Sequence, residues 1–368
     1  TTWVIKIGSS LLTDNGKGLN LESIARWGKQ ISELQDEGLD VVLVSSGAVA
    51  EGVSRLGLPG RPTAIHEQQA AAAVGQMGLI QAYESQFKKF GKHTAQILLT
   101  HDDLSNRKRY LNARSTLRAL LDMRVIPVIN ENDTVSVEEL RTSFGDNDRL
   151  AALVATVIGA PLLVLLSDVA GLYDRHPSEP GAAVLPTVTR IDTAVEQLAC
   201  DRPGGLSKGG MASKIAAARI VTEAGGTCVI ASGREDDVLE RILRGAPAGT
   251  LFTGRAEAMP AWKRWLGWSA DARGTVAVDA GARNAIVAGG RSLLAAGVAG
   301  VHGQFTTGDV VALSCGDGPA FARGLVNYPA VELARIVGLR TERIAEVLGY
   351  CPYEEVIHRD NLAVISRD

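Results

Sequence analysis

Trp3-Val4-Ile5-Lys6-Ile7-Gly8-Ser9-Ser10 opens the chain, and its reading decides the architecture. The first five residues are strand-like, and a glycine with two serines follows at once. The same grammar recurs at Val41-Val42-Leu43-Val44, which runs into Ser45-Ser46-Gly47. Further apolar runs lie at 96–99, 125–129, 162–166 and 227–230. Between the first two, residues 21–37 carry Ile24, Trp27, Ile31 and Leu34 at helical spacing and stop at Gly38. Helical spacing also covers 69–87, 112–123, 149–158 and 213–224. Near-continuous apolar strands separated by helices predict an α/β domain, a mainly parallel sheet covered on both faces as a three-layer α/β/α sandwich.

The pattern changes near Ala256, where Pro260 and three tryptophans (Trp262, Trp265, Trp268) lead to Gly274. Beyond it the chain is β-rich and studded with glycine, with alternation over 275–278 and 309–313 and short helices over 331–337 and 341–348. A compact β-barrel is the expectation there. The organisation is therefore residues 1–255 as the α/β domain, 256–272 as linker and 273–368 as the β-domain.

Composition sets bounds on function. Of 368 residues, 46% are hydrophobic and 21% charged, enough for buried cores in two domains. A formal net charge of -3 supplies no general attraction to nucleic acid or anionic membrane. Cys200, Cys228, Cys315 and Cys351 are widely spaced, which argues against a disulfide framework or zinc site. An intracellular, cytoplasmic protein with free thiols and no membrane span is the expectation.

Polar residues gather where the apolar runs end, and in open α/β sheets ligands bind outside those carboxyl ends. Lys6 amid Trp3, Val4, Ile5 and Ile7 either snorkels to water or meets a buried anionic partner. Asn130-Glu131-Asn132-Asp133-Thr134 closes one strand, and Gly145-Asp146-Asn147-Asp148 precedes a helix. Helix capping accounts for one or two of these, but not for two clusters in succession. Such carboxylates and amides suit an amino acid's ammonium group, or orient a lysine and a magnesium ion held largely by phosphates. Ser167-Asp168 ends another strand. Residues 204–214, with Lys208, Gly209, Gly210, Met211, Ala212, Ser213 and Lys214, lead into a helix whose start favours anions. The Walker A spacing is absent.

Taken in order, these segments resemble the amino acid kinase family, whose fold is carbamate kinase-like. The resemblance rests on residues 4–10, 44–48, 110–114, 128–133, 145–148, 167–173 and 209–214, and it covers nearly the whole chain. In the tail, residues 275–279 and 303–309 resemble a PUA domain. Among the family's members, the tail points to the branch that phosphorylates the side-chain carboxylate of L-glutamate with ATP and Mg2+, the first step of proline biosynthesis.

The resemblance assigns roles to particular residues. It implies that Lys6 and Lys214 contact the transferring phosphoryl group and that Asp148 holds the lysines. Ser46, Asp133 and Asn147 would bind glutamate, while Lys6, Ser167, Asp168 and residues 208–214 would bind ATP. Lys208 departs from the family pattern, which has threonine there. A homo-oligomer, proline as feedback inhibitor and a glutamate 5-phosphate reductase as recipient of the product are further implications.

Two alternatives stand beside this reading. One is a family member acting on another carboxylate, or on carbamate or UMP. The other is an RNA-binding or regulatory protein, because PUA domains often bind RNA. Residues 273–368 hold 9 arginines, no lysine and 10 acidic residues, a balance of 9 − 10 = −1, which is not the basic footprint of an RNA binder.

Overall fold

The computed structural model describes residues 1–13, 18–136, 147–199, 210–254 and 260–365. By internal contacts the chain divides into two compact units, Thr1–Asp103 with Tyr110–Ala258, and Leu104–Arg109 with Met259–Asp368.

The first unit is built on one eight-stranded sheet. Its strands are β1 (Thr2–Ile7), β2 (Asp40–Val44), β3 (Thr94–Leu99), β4 (Ile126–Glu131), β5 (Leu162–Ser167), β6 (Thr187–Val188), β7 (Thr227–Ser232) and β8 (Thr250–Phe252). They lie in the order β3-β4-β2-β1-β5-β7-β8-β6. All pairs are parallel except β7 with β8. The order turns about β1: β2, β4 and β3 lie to one side of it, and β5, β7, β8 and β6 to the other. Beyond the expected runs, the structure adds β6 and β8, of two and three residues. Strands that short carry no readable alternation.

Helices cover both faces, as the apolar strands require. They include α1 (Leu21–Asp36), α2 (Ala48–Arg55), α3 (Ile65–Lys88), α4 (Arg107–Asp122), α5 (Asp148–Ile158) and α6 (Gly210–Glu223). Side chains alternate across a strand. Trp3, Ile5 and Ile7 therefore join one core with Trp27 and Ile31 of α1 and Leu79, Tyr83 and Phe87 of α3. Each such fully buried side chain contributes roughly 1.5–3 kcal/mol of transfer free energy. Lys6 points to the opposite face, toward α5 and α6.

Two glycines set the approach of α2 to α3. A Cβ on Gly52 would lie 1.7 Å from the Ala71 carbonyl oxygen, and one on Gly75 would lie 1.9 Å from that of Ala48. The two helices thus touch backbone to backbone, closer than any other residue pair would permit. Gly47 caps α2 in the left-handed region at φ 89°, where a side chain would be strained.

The second unit has a five-stranded sheet in the order β11-β9-β12-β13-β15 and a two-stranded pair, β10 with β14. These are β9 (Gly274–Val278), β10 (Leu293–Leu294), β11 (Val298–Gly303), β12 (Val310–Cys315), β13 (Ala322–Leu325), β14 (Glu355–Ile357) and β15 (Leu362–Val364). Its core gathers Val276, Val278, Phe305, Leu313, Phe321 and Tyr328. Within 256–272, Ala261–Arg264 forms a helical turn that continues as a π-helical turn over Trp265–Ser269. Trp265 and Leu266 of that turn are buried. Among the described residues no helix is long and apolar enough to cross a membrane.

Candidate active site

Lys6 is 0% exposed, in the strand about which the sheet order turns. An ammonium so placed costs several kcal/mol unless an anion meets it. Asp148, the first residue of α5 and equally buried, supplies the anion: its Oδ1 lies 2.8 Å from Lys6 Nζ. Its Oδ2 accepts from Lys214 Nζ at 3.1 Å and from the Ser213 hydroxyl at 2.7 Å, both in the first turns of α6. Lys214 Nζ also donates to the Gly210 carbonyl at 3.2 Å, and the Ser213 hydroxyl lies 2.9 Å from the same carbonyl. Burial by itself would raise the Asp148 carboxyl, but the charges of Lys6 and Lys214, with the hydrogen bonds of Lys6 and Ser213, hold it below the usual carboxylate range. Two cations around one anion leave a surplus positive charge, which suits a ligand carrying phosphate.

Asn147 precedes Asp148 as the N-cap of α5, yet its side chain makes no capping bond. Its Nδ2 instead donates to the Ser45 carbonyl at 2.7 Å and to Asn130 Oδ1 at 2.6 Å. Asn130, at the end of β4, donates through Nδ2 to Gln76 Oε1 of α3 at 2.7 Å. A line of amides thus runs from the cap of α5 across the ends of β2 and β4 to α3. Beside it lies a cleft of about 340 Å³, lined by Gln76, Met77, Gln96, Glu131, Asp133 and Thr134 among others.

Three buried polar atoms in this region have no hydrogen-bond partner among the described residues: Ser46 Oγ, Asp133 Oδ1 and Gln76 Nε2. The Asp133 carboxyl is pushed up to about 7 by burial and by the neighbouring Glu131 charge, against the opposing Arg61.

The structure therefore brings Lys6, Asp148, Ser213 and Lys214 into direct contact, with Asn147 one residue away and Asp133 in the adjoining cleft. Ser167 and Asp168 end β5, the neighbour of β1, where the Ser167 hydroxyl donates to Asp168 Oδ1 at 3.1 Å. Gly210, Met211 and Ala212 form the start of α6. Lys208 and Gly209 lie outside the described residues, as do Gly145 and Asp146. Gln76 is the residue that sequence reasoning missed, and Asn130 was quoted there without a role. Gly75, a glycine in mid-helix, signalled only a close contact of that helix, since it costs about 1 kcal/mol against alanine; it did not single out Gln76 or Asn130.

A model of the amino acid kinase family matches residues 1–232. The chain belongs to the amino acid kinase family. A PUA domain model matches residues 274–348 of this amino acid kinase. Over 364 residues the chain is 50% identical to the glutamate 5-kinase of Pseudomonas fluorescens strain Pf-5, covering 99% of this chain and 97% of that one. The glutamate 5-kinase of Thioalkalivibrio sulfidiphilus is 52% identical over 364 residues, 99% of this chain and 96% of its own. That of Methylococcus capsulatus is 52% identical over 362 residues, 98% and 96%.

Proposed function

We propose that this amino acid kinase transfers the γ-phosphoryl group of ATP to the side-chain carboxylate of L-glutamate, giving L-glutamate 5-phosphate and ADP. The observation that carries the reading is the buried Lys6–Asp148–Lys214 cluster beside a cleft containing Asp133. The near-full-length likeness to enzymes named glutamate 5-kinase selects the acceptor.

In this reading a carboxylate oxygen of glutamate attacks the γ-phosphorus, the new O–P bond forms, and the bond to the ADP oxygen breaks. The acceptor is ionised at neutral pH, so no general base is required. The protein's work is positioning and charge neutralisation. Lys6 and Lys214 face the transferring group, and Asp148 holds both ammonium groups in place. Asp133, Asn147 and Ser46 hold the amino acid. Ser167, Asp168 and the start of α6 hold the nucleotide, with Lys208 and Gly209 carried in the same proposal. Both oxygens of Asp148 are engaged by lysines and Ser213, so magnesium fits here as an ion held chiefly by the nucleotide's phosphates. When bound, it neutralises phosphate charge.

The product is an acyl phosphate, which hydrolyses readily, and the reading includes its consumption by a reductase on the way to proline. A homo-oligomer and feedback by proline belong to the same proposal. The test is ATP turnover against glutamate, aspartate, N-acetylglutamate and carbamate, with hydroxylamine trapping the acyl phosphate. Glutamate-dependent hydroxamate is the expected result, and its absence would overturn the reading.

A further inference from the structure

A backbone carbonyl accepts hydrogen bonds and never donates them, and this fixes the polarity of the whole amide line. Asn147 must turn its Nδ2 toward the Ser45 carbonyl, and the same NH2 group reaches Asn130 Oδ1. Asn130, its oxygen so occupied, presents Nδ2 on its other side to Gln76 Oε1. Gln76 is thereby left with its own NH2 turned away from Asn130. That Nε2 is buried, has no hydrogen-bond partner among the described residues, and belongs to a side chain 8% exposed on the cleft wall. Ordinarily a free glutamine can rotate its amide to offer either a donor or an acceptor. Here the carbonyl of Ser45, two side chains away, removes that choice.

A buried donor without a partner costs free energy until something accepts from it, and a carboxylate accepts most strongly. The Asp133 oxygen in the same cleft has the complementary demand, for a cation. One donor amide and one carboxylate on a shared wall match the two charged groups on the α-carbon of an amino acid.

We propose that Gln76 is a specificity-determining residue whose Nε2 donates to the α-carboxylate of the amino acid acceptor, while Asp133 takes the α-ammonium group. Asn130 is then a positioning residue that holds the Gln76 amide in its donating orientation. The assignment rests on the acceptor being an amino acid with a phosphorylatable side chain, as proposed above. The close crossing of α2 and α3 at Gly52 and Gly75 acquires a purpose from it, since Gly75 adjoins Gln76 in α3.

The test compares L-glutamate with L-isoglutamine, which keeps the side-chain carboxylate and α-ammonium but carries an α-carboxamide. The readout is the ratio of kcat/KM for the two acceptors, measured by hydroxamate trapping. This ratio is independent of how much of a variant folds. The wild type should prefer glutamate by about 30-fold or more, the range of a lost charge-assisted hydrogen bond. Gln76→Met should bring the ratio to within about threefold of unity, with KM for ATP unchanged. Gln76→Glu, which keeps the shape but replaces the donor by an anion, should bring it below unity. A ratio that stays at the wild-type value in both variants would overturn the role of Gln76, as would a wild type that does not discriminate. A wild type that phosphorylates neither acceptor would overturn the underlying reading, and the assignment with it.

Discussion

The lysine cluster and the amide cleft share one set of strand ends and treat their polar groups in opposite ways. Around Asp148 each oxygen has a partner: Lys6 on one, Lys214 and Ser213 on the other. In the cleft, Gln76 Nε2 and Asp133 Oδ1 are buried with none among the described residues. The first region's carboxylate is ion-paired on both oxygens without a ligand and serves as a preorganised field, which costs no rearrangement when charge develops. The second is held open by its neighbours at a standing energetic cost, and binding relieves it. The contrast separates two roles. Damage to the cluster should reach both stability and turnover, whereas damage to the cleft should reach affinity and leave stability alone or improve it.

The strongest way to break this contrast is Asp148→Ala. It removes the carboxylate that the buried ammonium groups of Lys6 and Lys214 share. Removing one partner of a buried pair costs about 3–5 kcal/mol, so a clear fall in melting temperature is expected together with loss of turnover. Calorimetry showing a wild-type melting temperature would mean that Asp148 is not the anchor of the cluster. Lys214→Ala comes next. Asp148 then keeps Lys6 and Ser213, so the fold should survive. The phosphoryl group, however, loses a cation, and kcat should fall on the order of 10³-fold with KM for glutamate little changed. Near-normal kcat would remove Lys214 from the chemistry.

The two regions were also unequally legible. The cluster could be read because each member sits at a strand end or helix start whose type the local pattern reveals. Lys6 interrupts an apolar run, Asp148 precedes a periodic one, and Lys214 follows a glycine-rich stretch. That both lysines meet on Asp148 came from the family resemblance rather than from the local pattern, since 66 positions separate Asp148 from Lys214. Gln76 was hidden for a different reason. In the alanine-rich sequence of α3 it resembles any solvent-facing glutamine. Its environment comes from a helix crossing set by Gly52 and Gly75, one in each helix. The short strands β6 and β8 have no readable signal because pairing with neighbours, rather than alternation, makes them strands.

Asp133 sharpens the contrast most finely, because its charge state changes near neutrality. Burial and Glu131 raise its carboxyl to about 7, with Arg61 opposing. The protonated form is therefore favoured on folding. The stability this confers is present below the unfolded value of about 4 and is lost as pH rises through about 7. Substrate binding runs the other way, since the α-ammonium group needs the ionised carboxylate. KM for glutamate should fall about tenfold between pH 6 and pH 8 as Asp133 ionises, and level off above. Asp133→Asn should abolish that pH dependence and raise KM by about 30-fold or more at pH 8, the cost of losing one charge of a buried pair. At the same pH the variant should melt a few degrees above the wild type, because no carboxylate is then forced to ionise in a desolvated site. A wild type whose KM is flat from pH 6 to pH 8, or an Asn variant less stable than it, would place Asp133 with the satisfied groups of the cluster and erase the distinction between the two regions.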